Sequence, residues 1–206
     1  MLFIAGVLLV SAGRLDLAPI WEYLGLFLAS GVVGSFLVDP GLIRERWRPG
    51  GKSLPPAMFL LVLLPLAHWS LAGMDVGRYH WSDTVPPALQ VASMAGVGLC
   101  LAVLTWAVHV NPFFSSVIRI QTERGHKVVR HGPYRFVRHP GYAVALLLIL
   151  LSGLALGSWL AAAFGLAFSP LLFVRIVRED RTLLRELPGY DRYAQEVRFR
   201  IVPGVW

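Results

Sequence analysis

The feature that most constrains this chain is a series of apolar runs broken by arginine-rich connections. Runs at 17–38 and 87–110 reach the roughly 20 helical residues needed to cross a hydrocarbon core. The run at 57–73 is shorter and carries Pro65 and His68. Runs at 142–156 and 159–174 are separated only by Gly157 and Ser158, which reads as a tight helical hairpin. Hydrophobic residues make up 56% of the 206 and charged residues only 15%, where soluble domains carry about a quarter charged. No water-soluble core of this size accommodates that excess. The chain reads as an all-α integral membrane protein.

Charge placement sets the topology. Of 19 lysines and arginines, only Arg14 and Arg78 lie outside 39–56, 111–140 and 175–206, the alternate connections between apolar runs. This positive-inside pattern places those three segments on the cytoplasmic side. The net charge of +7 then reflects topology and attraction to anionic headgroups, and argues against nucleic acid as a partner. The opening MLFIAGVLLVSAG has no preceding basic residue and is followed by no convincing small-x-small cleavage site. It reads as a retained first helix packed beside 17–38, for about five to six spans in all. Cys100, inside GVGLCLAVL, has no disulfide partner in the chain and reads as a buried, unreactive thiol. Gly96-Val97-Gly98 is not a dinucleotide fingerprint, because it lies mid-span with Leu101 at the third glycine position. Gly153 and Gly157 form a GxxxG suited to close packing within the chain.

Four stretches carry polar residues beyond what topology needs. Residues 39–52, DPGLIRERWRPGGK, read as a turn followed by a positive loop at the membrane surface. In 111–129, Asn111-Pro112 stops the preceding helix, and VIRIQ and HKVVRHGPY read as extended or turning segments. In RHGPYRFVRHPGY, residues 130–142, Gly132-Pro133 and His139-Pro140-Gly141 force two turns that fix the residues between them at the mouth of a span. In 171–193 the last span runs unbroken into a charged helix. There Phe173, Ile176, Val177, Leu183, Leu184 and Leu187 share one stripe with Asp180, whose carboxylate should therefore point inward. Arg175 and Glu179, four apart, can face each other.

Together these residues resemble the isoprenylcysteine carboxyl methyltransferase family, whose signature is shared with phospholipid N-methyltransferases. The matching pieces are His126-Lys127-Val128-Val129, Gly132-Pro133-Tyr134-Arg135 and Arg138-His139-Pro140-Gly141-Tyr142. After the hairpin come Arg175, Glu179-Asp180, Gly189-Tyr190 and Tyr193. The likeness covers roughly residues 110–206, and it implies a division into N-terminal transmembrane helices at 1–110 and a methyltransferase core at 111–206. One departure is the Glu179-Asp180 pair, where the family usually has two glutamates.

The resemblance implies a methyltransferase that uses S-adenosylmethionine without a Rossmann domain, with a cytoplasmic cofactor loop and a C-terminal helix. Around the cofactor it places His126, Val129, Gly132, Tyr134, Arg138, His139 and Pro140, with Glu179 on its ribose or ammonium group. Arg175, Asp180 and Tyr142 make up the catalytic set: Arg175 holds the acceptor, in a two-point pairing if that acceptor is a carboxylate. An amine or phenol acceptor would need a base, and desolvated Asp180 is then the candidate. No metal is expected. The partner is a lipophilic small molecule or lipid entering sideways from the bilayer; oligomeric state is left open. Two alternatives remain at this stage: an NADPH-dependent membrane reductase of related architecture, and a non-catalytic scaffold that binds anionic lipid.

Overall fold

The computed structural model describes residues 2–51 and 57–206, with side chains of the fourth helix described from residue 63 onward. Among these residues the regular structure is helical, with no strand. The helices are α1 (Leu2–Ala12), α2 (Ala18–Leu37), α3 (Pro40–Trp47), α4 (Ala57–Met74), α5 (Pro87–Val110), α6 (Pro140–Ala155), α7 (Trp159–Ala167), α8 (Ser169–Glu186) and α9 (Tyr190–Glu196). By length and composition, α2, α5 and the near-continuous unit Trp159–Glu186 can cross a membrane, while α1 and α6 are shorter apolar helices. Prolines open α3, α5 and α6 at the first helical position, where the missing N–H has no intrahelical partner to lose.

The core of the bundle is built from Leu8, Ile20, Tyr23, Val97, Leu101 and Leu156, all buried. The hairpin is as expected: α6 ends at Ala155, Gly157 takes the left-handed φ of +91°, and Ser158 caps α7 by accepting from the Ala161 N–H at 3.0 Å. Gly153 is what lets the two arms touch, since a methyl there would sit 2.3 Å from the Ala162 nitrogen. At this end of the bundle the fully buried Asp75 accepts from the Ser82 N–H at 2.7 Å and from the hydroxyls of Ser82 and Ser158. Those bonds satisfy a carboxylate that burial would otherwise penalise.

Two expectations are corrected. First, α1 packs chiefly along α4, not beside α2. The cause is small residues: a methyl on Gly73 would meet the Leu8 carbonyl at 2.8 Å, and one on Gly77 the Ala12 carbonyl at 2.4 Å. Second, 39–52 is not merely a loop. Asp39 accepts from the Leu42 N–H at 3.1 Å and Pro40 follows at the first helical position, so Asp-Pro-Gly starts α3. Residues 52–56 of that connection lie outside the described residues.

Gly153→Ala is expected to lower stability by about 1–3 kcal/mol through overpacking. Gly6→Ala, which meets nothing within 4 Å, should leave it unchanged. Thermal unfolding in detergent separates the two.

Candidate active site

The motif around residue 138 is held by the end of the chain. Arg138 and His139 donate their backbone N–H groups to the carbonyls of Phe199 and Arg200, at 3.0 and 2.8 Å. The Arg138 guanidinium donates through Nη1 to the carbonyls of Val197 and Arg198, both at 2.8 Å. Its Nε and Nη2 grip the two oxygens of Asp180, each at 3.0 Å.

Asp180 is 1% exposed, as the helical stripe requires, but the inward side is already filled. Its Oδ1 lies 3.1 Å from His139 Nε2 and accepts from the Tyr190 hydroxyl at 2.9 Å, while Oδ2 accepts from Arg200 Nε at 2.9 Å. With Arg138 counted, five donors meet a group that offers about four lone-pair sites. The reading of Asp180 as a desolvated base is thereby corrected: it has no acceptor capacity to spare, and it does not line the cavity described next. The stripe itself is partly kept. Ile176 and Leu187 are buried with Asp180, whereas Phe173 and Leu184 are exposed.

A cavity of about 400 Å³ lies between the 111–139 connection, the starts of α6 and α9, and the charged part of α8. Of the residues singled out from sequence, His126, Val129, Tyr134, Arg138, His139, Pro140, Tyr142, Arg175 and Glu179 all line it. Gly132 does not. It adopts a φ of +61°, and a methyl there would press on Val110 and Trp106 at 3.1 and 3.3 Å, so its role is turn geometry and close approach to α5. Leu104, Ala145 and Leu172 add an apolar wall from α5, α6 and α8.

The polar centre is a relay through Tyr142. Its hydroxyl donates to Glu179 Oε2 at 2.6 Å and accepts from Arg175 Nε at 2.6 Å, so the phenol joins the two residues expected to face each other. Arg175 Nη2 also donates to the Ser116 carbonyl at 2.5 Å. Nearby, the Gln121 N–H donates to Nδ1 of His126 at 3.3 Å, and the imidazole stacks on Phe113 with ring centres 4.5 Å apart. Accepting at Nδ1 requires a neutral ring with its proton on Nε2. Burial first, then the charges of Arg119 and Arg124, lower the His126 pKa from its ordinary value. Burial also raises the phenols of Tyr134, Tyr190 and Tyr193, which therefore stay protonated and are not bases. Tyr190 and Tyr193 donate to Asp180 Oδ1 and to the Tyr134 carbonyl, while the Tyr134 hydroxyl accepts from Asn111 Nδ2 at 2.9 Å.

Sequence reasoning missed α3 as part of the site. Glu45, buried, pairs with Arg119 at 2.8 Å. Arg46 lines the cavity and donates to the Phe114 carbonyl at 3.3 Å, while the Ser116 hydroxyl donates to the Arg46 carbonyl at 2.7 Å. The signal was an acidic residue at the centre of a basic run, which topology alone does not call for. Arg200 and Tyr190, both on the Asp180 carboxylate, were also missed as a cluster, because they lie 20 and 10 residues beyond it and reach it only once the chain after α8 folds back.

Comparison with known proteins matches residues 94–185 to the family described as Isoprenylcysteine carboxyl methyltransferase (ICMT) family. Among curated relatives, a nickel-cobalt-cadmium resistance protein NccN of Alcaligenes xylosoxydans xylosoxydans is 30% identical over 128 residues, covering 61% of this chain and 55% of that one. A probable protein-S-isoprenylcysteine O-methyltransferase of Oryza sativa subsp. indica is 39% identical over 87 residues, covering 41% of this chain and 45% of that one, and the japonica protein of the same description matches equally. The chain spans about half the length of the curated relatives it matches.

Asp180→Asn should destabilise by about 3–5 kcal/mol, because it leaves buried Arg138 without its counter-charge; a fall in unfolding midpoint in detergent reads this out. His126 gives a pH signature. Its folded pKa lies below the ordinary 6.5, so on acidification the unfolded chain takes up the proton first. The stability it contributes is full above the unfolded value and is lost as pH falls through the depressed folded value. Midpoints measured from about pH 7 down to 5 should fall more steeply for the wild type than for His126→Gln.

Proposed function

We propose that the chain, matched through residues 94–185 to the isoprenylcysteine carboxyl methyltransferase family, is a membrane methyltransferase acting on a lipophilic acceptor with S-adenosylmethionine as donor. The observation that carries the reading is the single cavity in which the Tyr142–Arg175–Glu179 relay adjoins the apolar wall of Leu104, Ala145 and Leu172. A polar reaction centre continuous with an apolar trough suits an amphiphile whose reacting group sits at one end.

The residues present fit the cofactor. About 400 Å³ falls in the usual range for a small-molecule site. Glu179 offers carboxylate oxygens to an ammonium or ribose hydroxyls, and His126, Val129, Tyr134, Arg138, His139 and Pro140 form the surrounding wall. When bound, S-adenosylmethionine supplies a methyl group activated on a positively charged sulfur. The protein's own part is to orient and to exclude water. Tyr142 fixes Arg175 and Glu179 relative to each other, so the acceptor's place is set by rigid elements. Asp180 is committed to its donors, which favours an acceptor that gives up no proton: a carboxylate, held by Arg175. In this reading the cavity faces the cytoplasm, and the acceptor arrives sideways from lipid past α5, α6 and α8.

Calorimetric titration of the purified chain should give saturable binding of S-adenosylmethionine and none of NADPH. Glu179→Gln should weaken that binding about tenfold or more, the worth of a hydrogen bond to a charged group, without lowering the unfolding midpoint. Incubation with methyl-labelled cofactor and a membrane lipid extract should label an apolar product. Binding of NADPH in place of S-adenosylmethionine, as a reductase requires, overturns the reading.

A further inference from the structure

We propose that Arg46 of α3, outside the family-matched segment, forms with Arg175 a two-arginine clamp for the carboxylate head of the acceptor. The inference rests on the methyltransferase reading and names the group that selects its substrate.

Arg175 by itself is poorly placed for a two-point grip. Its Nε–Nη2 edge is committed to the Tyr142 hydroxyl and the Ser116 carbonyl. Arg46 lines the same cavity and reaches the Phe114 carbonyl, two residues from the one Arg175 holds. The two guanidiniums thus converge on one short stretch of backbone, from opposite elements of the fold. Their charges oppose each other: burial, then Arg175, lowers the Arg46 pKa. Among the described residues no carboxylate bonds Arg46, since its neighbour Glu45 is taken by Arg119 and the Gly50 N–H. Two like charges converging on a partly buried cavity repel, and a shared anion between them relieves that repulsion. The Arg46 guanidinium lies over the Phe114 ring, 5.1 Å from its centre, and among the described residues it hydrogen-bonds protein through Nη1, which leaves Nε and Nη2 for a ligand. The apolar wall of Leu104, Ala145 and Leu172 adjoins the clamp, so the anion should carry an apolar tail. A carboxylate at the end of a long hydrocarbon meets both demands. Arg46 is held in place by its own backbone, through the Ser116 hydroxyl bond to its carbonyl, so it acts as a binding residue on a docked helix.

The test measures equilibrium binding of N-acetyl-S-farnesylcysteine and of its carboxamide to the full chain in detergent. The wild type should prefer the acid. Arg46→Gln should weaken acid binding about tenfold or more, as expected for a lost charge-assisted bond, with the carboxamide unaffected and Arg46→Lys restoring part of the loss. S-adenosylmethionine binding and the unfolding midpoint should stay unchanged, and so should acid binding in Arg44→Gln, which removes an exposed charge from the same helix. Equal weakening of acid and carboxamide, or no change in either, overturns the clamp. So does a wild type that binds neither acid nor carboxamide. If such a protein still labels the lipid extract, the methyltransferase reading survives; if acid-selective binding depends on Arg46 while no methyl transfer occurs, the clamp stands and that reading falls.

Discussion

Two oxygens of Asp180 hold three separate stretches of this chain together. Arg138 and His139 arrive from the turn before α6, Tyr190 from the start of α9, and Arg200 from the C-terminal tail. The cluster is buried, so each charge has given up water, and only the completeness of the bonding offsets that cost. A fully satisfied polar network of this kind fixes geometry more than it adds stability. Its effect is to press the tail against the 138–139 backbone and so to set one wall of the cavity.

The cavity sits where the bundle changes character. Above it, α5, α6 and the start of α8 are apolar, and α6 packs on α5 and α7 at Gly96 and Gly153; below it, the same α8 becomes charged and the 111–139 connection folds without regular helix except for short 3₁₀ turns. Prolines and left-handed glycines shape this connection: Gly125 and Gly132 take φ values of +64° and +61°, and Pro140 begins α6. Backbone carbonyls that a helix would have consumed internally are thereby left to bind arginines. Phe114 and Ser116 serve in this way, as Val197 and Arg198 do in the segment after α9. The arginines bound there thus serve as the mortar of an irregular wall.

Much of the site was legible in sequence because its pieces are short and locally constrained. Gly-Pro and His-Pro-Gly force turns wherever they occur, and the helical period placed Asp180 inward with Ile176. The period says which way a side chain points and nothing about what waits there, so a spent structural anion was read as a base. Likewise Gly132 belonged to the motif by spacing, yet its neighbours are Trp106 and Val110, not the cavity. Arg46 was hidden for the opposite reason. A basic residue between two spans is fully explained by topology, and only the docking of α3 through Glu45–Arg119 gives it a further place.

By itself, the sequence determined the membrane class, the hairpin at Gly157-Ser158 and the residues with chemistry to offer, since hydropathy, charge bias and turn-forming residues act over a few positions. The tertiary structure decided which of those residues share a cavity and which brace it. That division depends on contacts between residues 37 to 68 positions apart, such as Tyr142 with Glu179, Arg46 with Phe114 and Asp180 with Arg138. A bond of that reach exists only once the helices have packed, and no local pattern encodes its partner.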